Sequence, residues 1–175
     1  MGQLHVVGGR ATRAEAARPY VVVVGIDFDA PAMKAANIAM RVAARHTRAE
    51  LHLVGALAPP RAMGPFSTFA TMPSSVARLH ERLESFALTL EARESVRIVA
   101  HAVLGAPARS ITDLARELGA NLIVLGSAGA TGIARFLFGS ITATVRRHAE
   151  CAVMTVEPPH LTRGAHGIRL VVAPT

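Results

Sequence analysis

Five short apolar runs along the chain predict five β-strands. They lie at 20–27, 50–57, 96–103, 121–126 and 151–156. The first run, YVVVVGID, is a continuous series of β-branched residues that ends at Asp27. Such a run is typical of a strand that is buried on both faces of a parallel sheet. The pattern therefore predicts a sheet that is covered on both sides.

Between these runs the apolar residues repeat with helical spacing. The predicted helices span 31–45, 75–93, 105–120 and 140–148. Asp29 stands where it can cap the first helix, and Gly119 follows the third helix at the position where a glycine commonly ends one. Strands that alternate with helices imply right-handed crossovers, so we expect an α/β fold with a doubly wound five-stranded parallel sheet and helices on both faces.

Three segments lie outside this alternation. Residues 58–75 contain four prolines and no periodicity, which predicts a long loop that is either a functional lid or disordered. Residues 1–18 are an N-terminal extension ahead of one domain at 19–158. Residues 159–175 form a C-terminal tail, in which IRLVV is compatible with an added edge strand.

Composition narrows the cellular setting. A chain of 175 residues with 51% apolar content is long enough for one domain with a core. No apolar run reaches membrane-spanning length, and the apolar patch near the N-terminus is too short for a signal peptide. The single cysteine, Cys151, has no partner for an internal disulfide, and no metal-ligand cluster is evident. We expect a cytoplasmic protein that does not bind a membrane.

The net charge of +7 raises the question of a nucleic-acid partner. The basic residues are scattered arginines without a run of five, and aromatic side chains that would stack on bases are few. This distribution favours solvated helix faces over a nucleic-acid groove. We expect no nucleic-acid partner, whereas the positive charge is compatible with an anionic small ligand.

Glycines are concentrated between the fourth and fifth predicted strands, at Gly126, Gly129 and Gly139, with Ser140 next. In doubly wound sheets, ligands bind beyond the carboxyl ends of the strands. Glycine allows backbone N–H groups to approach an anion closely, and a helix opened by Gly139 and Ser140 favours phosphate at its N-terminus. The segment therefore predicts a phosphate-binding crevice.

These residues form the pattern G-x2-G-x9-G-S, which resembles the signature of the ATP-binding class of universal stress proteins. The stretches VVVVGIDF, NLIVLGS and RFLFGSITATVRRHAECAVMTV also resemble that family, over about 19–158. The resemblance implies a Rossmann-like fold of the adenine nucleotide alpha hydrolase type, with strand order 3-2-1-4-5. It also implies ATP with Mg²⁺ as the ligand, a regulatory role in stress response and a homodimer that pairs through the last strand.

The resemblance assigns roles to individual positions. Asp27 matches the aspartate at the ribose and adenine end of the nucleotide, and Ala56 matches a small contact to the base. The remaining matches lie along the ribose and the phosphates; they are Gly126, Gly129, Gly139, Ser140 and the backbone of Ile141.

Two features qualify these assignments. Asp29 stands where the family often has serine, so it either caps the first helix or faces the site and repels phosphate. The chain has no G-x-x-x-x-G-K-(S/T) loop, and its only lysine, Lys34, lies in the first predicted helix. We therefore expect a nucleotide-binding regulatory module. A slow ATPase or autophosphorylating enzyme, and a dimeric interaction protein without nucleotide, are the alternatives.

Overall fold

The fold is taken from a computed structural model, which describes residues 18–58, 72–91, 96–126, 134–156 and 168–171. Strands and helices alternate over most of these ranges. The strands are β1 (Tyr20–Gly25), β2 (Ala49–Leu57), β3 (Arg97–Leu104), β4 (Leu122–Gly126), β5 (Ala152–Val156) and β6 (Ile168–Val171). The helices are α1 (Ala30–Ala43), α2 (Met72–Glu91), α3 (Pro107–Glu117) and α4 (Ala134–His148).

The strands form one sheet in the order β3-β2-β1-β4-β5-β6. Strands β1 to β5 run parallel to one another, which confirms the predicted doubly wound sheet with order 3-2-1-4-5. The chain adds β2 and β3 on one side of β1 and then crosses over to add β4 and β5 on the other side. The strand order therefore reverses between β1 and β4. That reversal is where ligands bind in folds of this type.

The apolar run of β1 is explained by the two faces of the sheet. Val22 and Val24 are fully buried against α1 and α2 on one face. Val23, between them, is fully buried in the cluster that α3 and α4 form on the other face. A strand covered on both sides has no position for a polar residue, so its sequence does not alternate.

Two predicted helix ends are confirmed. The Asp29 side chain accepts a hydrogen bond of 2.7 Å from the Ala32 N–H and caps α1. Gly119 follows α3 with φ of +60°, in the left-handed region that favours glycine. The Ala120 N–H then donates to the Ala115 carbonyl at 2.8 Å, which completes a Schellman motif.

The predicted start of α4 is wrong. The helix begins at Ala134, so Gly139 and Ser140 lie inside it and do not open it. The residues ahead of Gly139 are compatible with a helix, and one glycine in a helix interior costs only about 1 kcal/mol relative to alanine. Because helix formation is cooperative, one such residue does not stop the helix.

The IRLV segment of the C-terminal tail forms the sheet edge next to β5, which confirms the added edge strand. Strand β6 pairs antiparallel with β5, with Val171 opposite Val153 and Ile168 opposite Val156. A bare edge strand leaves a row of unpaired backbone N–H and C=O groups. Here the IRLV segment of β6 forms hydrogen bonds with those groups of β5.

Candidate functional site

A cavity of about 220 Å³ lies at the carboxyl ends of β1 and β4, where the strand order reverses. Strand β2, the turn after β1, and helices α1, α3 and α4 complete its walls. A larger cleft of about 880 Å³ lies at the opposite end of the sheet, beside Tyr20, Arg48 and Asn121. Ligands of parallel α/β sheets bind at the carboxyl ends, so the smaller cavity is the candidate site.

Four of the predicted site residues line this cavity together: Asp27, Ala56, Gly126 and Ile141. They come from the ends of β1, β2 and β4 and from α4, and they are separated by as many as 114 positions in the sequence. Gly129 and the rest of 127–133 lie outside the described residues. The backbone of Gly139 and Ser140 lies in α4 immediately ahead of Ile141.

Gly126 has a packing reason to be glycine. A Cβ atom built there would lie 2.5 Å from both the Ala32 nitrogen and the Pro31 carbonyl carbon. Contacts that short are not possible with backbone atoms, which have little freedom to move. The end of β4 therefore touches the first turn of α1 through main-chain atoms, and Gly126 fixes one wall of the cavity.

Two carboxylates mark the polar side of the cavity. Asp27 Oδ1 accepts a hydrogen bond of 3.0 Å from the Asp29 N–H, and both residues line the cavity. Burial raises the pKa of the Asp29 carboxyl, and the neighbouring Asp27 carboxylate raises it further, while the hydrogen bond from the Ala32 N–H lowers it. Asp29 therefore fills both roles considered for it, because it caps α1 and also faces the cavity.

The other walls are mostly apolar. Ile141, which was predicted, lines them together with four residues that were not, Leu125, Pro107, Ile111 and Thr142. Pro107 and Ile111 belong to α3, which follows β3 at the same end of the sheet. Their place just after a predicted strand could have indicated that they lie near the site. Thr142 follows Ile141 directly in α4.

The lining combines two carboxylates with apolar side chains, which suits an apolar group that carries hydrogen-bond donors. Among the residues that the structure describes, no lysine or arginine lines the cavity. A volume of about 220 Å³ is below the range of roughly 300–1,000 Å³ that is typical of pockets for a whole ligand. The described cavity therefore accommodates a small group or one part of a larger ligand.

Two features are absent from the described ranges. No group of three or more His, Cys, Asp or Glu side chains in them is arranged to hold a metal ion. None of the helices seen there is both long and apolar enough to cross a membrane.

Comparison with known sequences identifies relatives. The profile of the universal stress protein family matches residues 21–157. A universal stress protein of Methanocaldococcus jannaschii is 39% identical over 64 residues, which cover 37% of this chain and 38% of that protein. One from Synechocystis is 39% identical over 54 residues, covering 31% of this chain and 35% of that protein. The aligned stretches thus span little more than a third of these relatives.

Solved structures match over more of the chain. A universal stress protein crystallised in complex with cAMP is 28% identical, with a TM-score of 0.60 over 79% of this chain and 97% of that one. The universal stress protein UspA of Lactobacillus plantarum is 24% identical, with a TM-score of 0.63 over 79% of this chain and 98% of that one. The second likeness supports the fold alone.

Proposed function

The chain belongs to the universal stress protein family, and we propose that it binds an adenine nucleotide, ATP with Mg²⁺, in the cavity between β1 and β4. One observation carries the proposal. Asp27, Ala56, Gly126 and Ile141, which the family resemblance assigns to nucleotide binding, line a single cavity at the point where the strand order reverses. The relative solved with cAMP supports an adenine nucleotide as the ligand class.

In the proposed complex the adenine and ribose occupy the described cavity. The base packs against the apolar walls near Ala56 and Ile111, and Asp27 accepts hydrogen bonds from ligand donors. The phosphates extend away from the two carboxylates, toward Gly129 and α4. This orientation follows from charge, because an anionic phosphate beside Asp27 and Asp29 is repelled.

The phosphate end of the proposal rests on Gly129, Gly139 and Ser140. Backbone N–H groups bind phosphate when they have no intrahelical partner, as in the first turn of a helix. Since α4 begins at Ala134, the proposed roles of Gly139 and Ser140 require its first turns to open when the nucleotide binds.

We assign the bound nucleotide a regulatory role in stress response. ATP would stabilise one conformation or assembly through its higher affinity for that state. Rapid phosphoryl transfer uses a lysine or arginine, metal-binding carboxylates and a positioned nucleophile, and the sequence lacks the lysine-containing phosphate loop. Slow hydrolysis or autophosphorylation is the alternative.

The test uses the purified full-length chain. Mass spectrometry after acid denaturation is expected to detect a carried-through adenine nucleotide, and calorimetry is expected to show saturable ATP binding. No released nucleotide together with no saturable binding would overturn the proposal. Multiple-turnover phosphate release, at a rate proportional to protein concentration, would favour the enzymatic alternative.

The proposal includes a homodimer that pairs through β5, which β6 covers in this structure. Strand β5 is bonded to β6, so pairing of β5 across a two-fold axis requires β6 to leave or to be exchanged between protomers. Light scattering at micromolar concentration is expected to show a dimer. A chain that ends at residue 158 exposes β5 and is expected to dimerise more tightly. A monomer in both cases would contradict this route.

A further inference from the structure

Phe28 has an unusual backbone conformation at the edge of the candidate site. Its φ is +66°, in the left-handed region that bulky residues rarely adopt. The residue lies between Asp27 and Asp29, the two carboxylates of the cavity. Such a conformation costs free energy and persists only where the surroundings hold it in place.

The Phe28 ring is held by α2. The Arg82 guanidinium lies 4.0 Å from the ring centroid, over its face. The Phe86 ring meets it edge to face, with 6.4 Å between the centroids and 69° between the ring planes. Phe86 is buried in the core, and Phe28 packs against the same cluster. The ring thus has a cation on one side and a fixed aromatic neighbour.

The ring and the carboxylates belong to one turn. While the Phe28 ring contacts α2, Asp27 accepts from the Asp29 N–H at 3.0 Å and Asp29 caps α1 at 2.7 Å. A left-handed residue between the two aspartates brings the Asp29 N–H within reach of the Asp27 carboxylate. If Phe28 left this region, the chain direction would change and the carboxylates would separate.

We propose that Phe28, anchored by Arg82 and Phe86, is a positioning residue that holds the Asp27 and Asp29 carboxylates in the ligand cavity. Helix α2 contributes no residue to the cavity lining among the residues described. Through Phe28 it nevertheless sets the geometry of the polar side of the site.

The experiment compares two substitutions at one position. Phe28→Ala removes the ring and keeps a Cβ that disfavours positive φ, whereas Phe28→Gly removes the ring and leaves positive φ accessible. A residue that acted only by packing would give the opposite order, because glycine is the smaller and more flexible. Phe28→Tyr keeps the ring and is the rescue variant. Arg82→Ala removes the cation, and Arg78→Ala, one turn earlier on α2, is its matched control.

The first readout is independent of ligand. The NMR shift of the Asp29 amide proton is expected to respond to Asp27→Asn in the otherwise unmodified protein, because this substitution replaces the carboxylate that accepts its hydrogen bond. This response is expected to disappear in Phe28→Ala, to survive in part in Phe28→Gly and to be retained in Phe28→Tyr. An unchanged response in Phe28→Ala would overturn the proposal.

The second readout is calorimetric affinity for adenosine, which has no phosphate for Asp29 to repel and therefore reports the contact with Asp27; it rests on the proposed function. We expect a loss of about tenfold in Phe28→Ala, about threefold in Phe28→Gly and about twofold in Arg82→Ala, measured well below the unfolding temperature. Equal affinity in Phe28→Ala and the unmodified chain would also overturn the proposal. If the unmodified chain binds no adenine nucleotide, the proposed function fails, and the amide response alone decides the role of Phe28.

Discussion

His52 and His101 form a hydrogen-bonded imidazole pair that joins β2 to β3, with 2.9 Å between His52 Nδ1 and His101 Nε2. The second ring nitrogen of His52 lies 3.3 Å from Glu50, and the Glu50 carboxylate accepts from Arg97 at 3.1 Å. His52 is 4% exposed. A bond between two imidazoles needs one nitrogen as acceptor, so it fails when both rings are protonated.

The pair predicts a loss of stability in acid. Burial lowers the pKa of both rings; at His52 the Glu50 carboxylate opposes this effect and Arg97 adds to it, and at His101 the nearby His52 and His80 add to it. A histidine whose pKa is lowered on folding contributes stability above the ordinary value of about 6.5, and this contribution is lost as pH falls through the folded pKa.

Urea unfolding at about pH 7 and about pH 5 measures this effect. The free energy of unfolding is expected to fall on acidification, and His101→Gln is expected to reduce the fall. His148→Gln, exposed at the end of α4, is the control and is expected to leave it unchanged. The same fall in His101→Gln as in the unmodified chain would contradict the assignment.

Gly126→Ala is expected to impair both folding and binding. The new methyl group meets the backbone of Pro31 and Ala32 at 2.5 Å, so the first turn of α1 must shift, at a cost of about 2 kcal/mol. Gly119→Ala is the matched control, because its positive φ predicts a similar cost of about 1 to 2 kcal/mol far from the cavity. Denaturation and calorimetry on both variants should show reduced affinity only for Gly126→Ala.

Substitutions of Asp29 separate its two roles. Asp29→Ala removes the cap of α1 and should cost about 1 kcal/mol of folding free energy, whereas Asp29→Asn keeps a good cap. Both remove a negative charge beside the cavity, so ATP affinity should rise in Asp29→Asn while the affinity for uncharged adenosine stays constant. Lower ATP affinity in Asp29→Asn would show that the carboxylate assists the ligand.

The raised pKa of Asp29 also fixes a pH dependence. An acid whose pKa is raised on folding adds stability below its unfolded pKa, and this contribution is lost as pH rises through the folded pKa. Asp29→Asn should therefore remove one contribution that favours the folded state in acid. Urea titrations across the acidic range would detect it as a changed slope of unfolding free energy against pH.

Gly129→Val tests the proposed phosphate contact. A branched side chain there would occupy the space of the anion, so ATP binding should collapse, while any backbone strain should cost about 1 to 3 kcal/mol of folding free energy. Ser140→Ala removes a single hydroxyl and should weaken ATP binding by only about 1 to 2 kcal/mol. Calorimetry on a folded Gly129→Val protein that binds ATP normally would remove the glycine segment from the site.

Much of the fold could be predicted because its signals are local. The continuous apolar run of β1, the cap at Asp29 and the glycine at 119 each act within a few residues, and all three are confirmed. The start of α4 could not be located, because the expectation rested on Gly139, and a cooperative helix tolerates one unfavourable residue.

The candidate site was predictable only in part, because some of its geometry depends on contacts between residues far apart in the sequence. Asp27, Ala56 and Gly126 stand at strand ends, and the topology brings such ends together. The left-handed conformation of Phe28 has no local signal, since it depends on Arg82 and Phe86 more than 50 positions away. The aspartates beside Phe28 were visible in the sequence, whereas the contacts that orient them were not.

The meeting of Gly126 with Pro31 and Ala32 limits how ligand preference can be redesigned. One wall of the cavity consists of main chain against main chain, and no side chain there can be exchanged to reshape it. Ala56, Ile111 and Thr142 offer side chains on the other walls. A library aimed at a different ligand should vary those three positions and leave 126 untouched, because any side chain at 126 displaces the first turn of α1 and lowers stability.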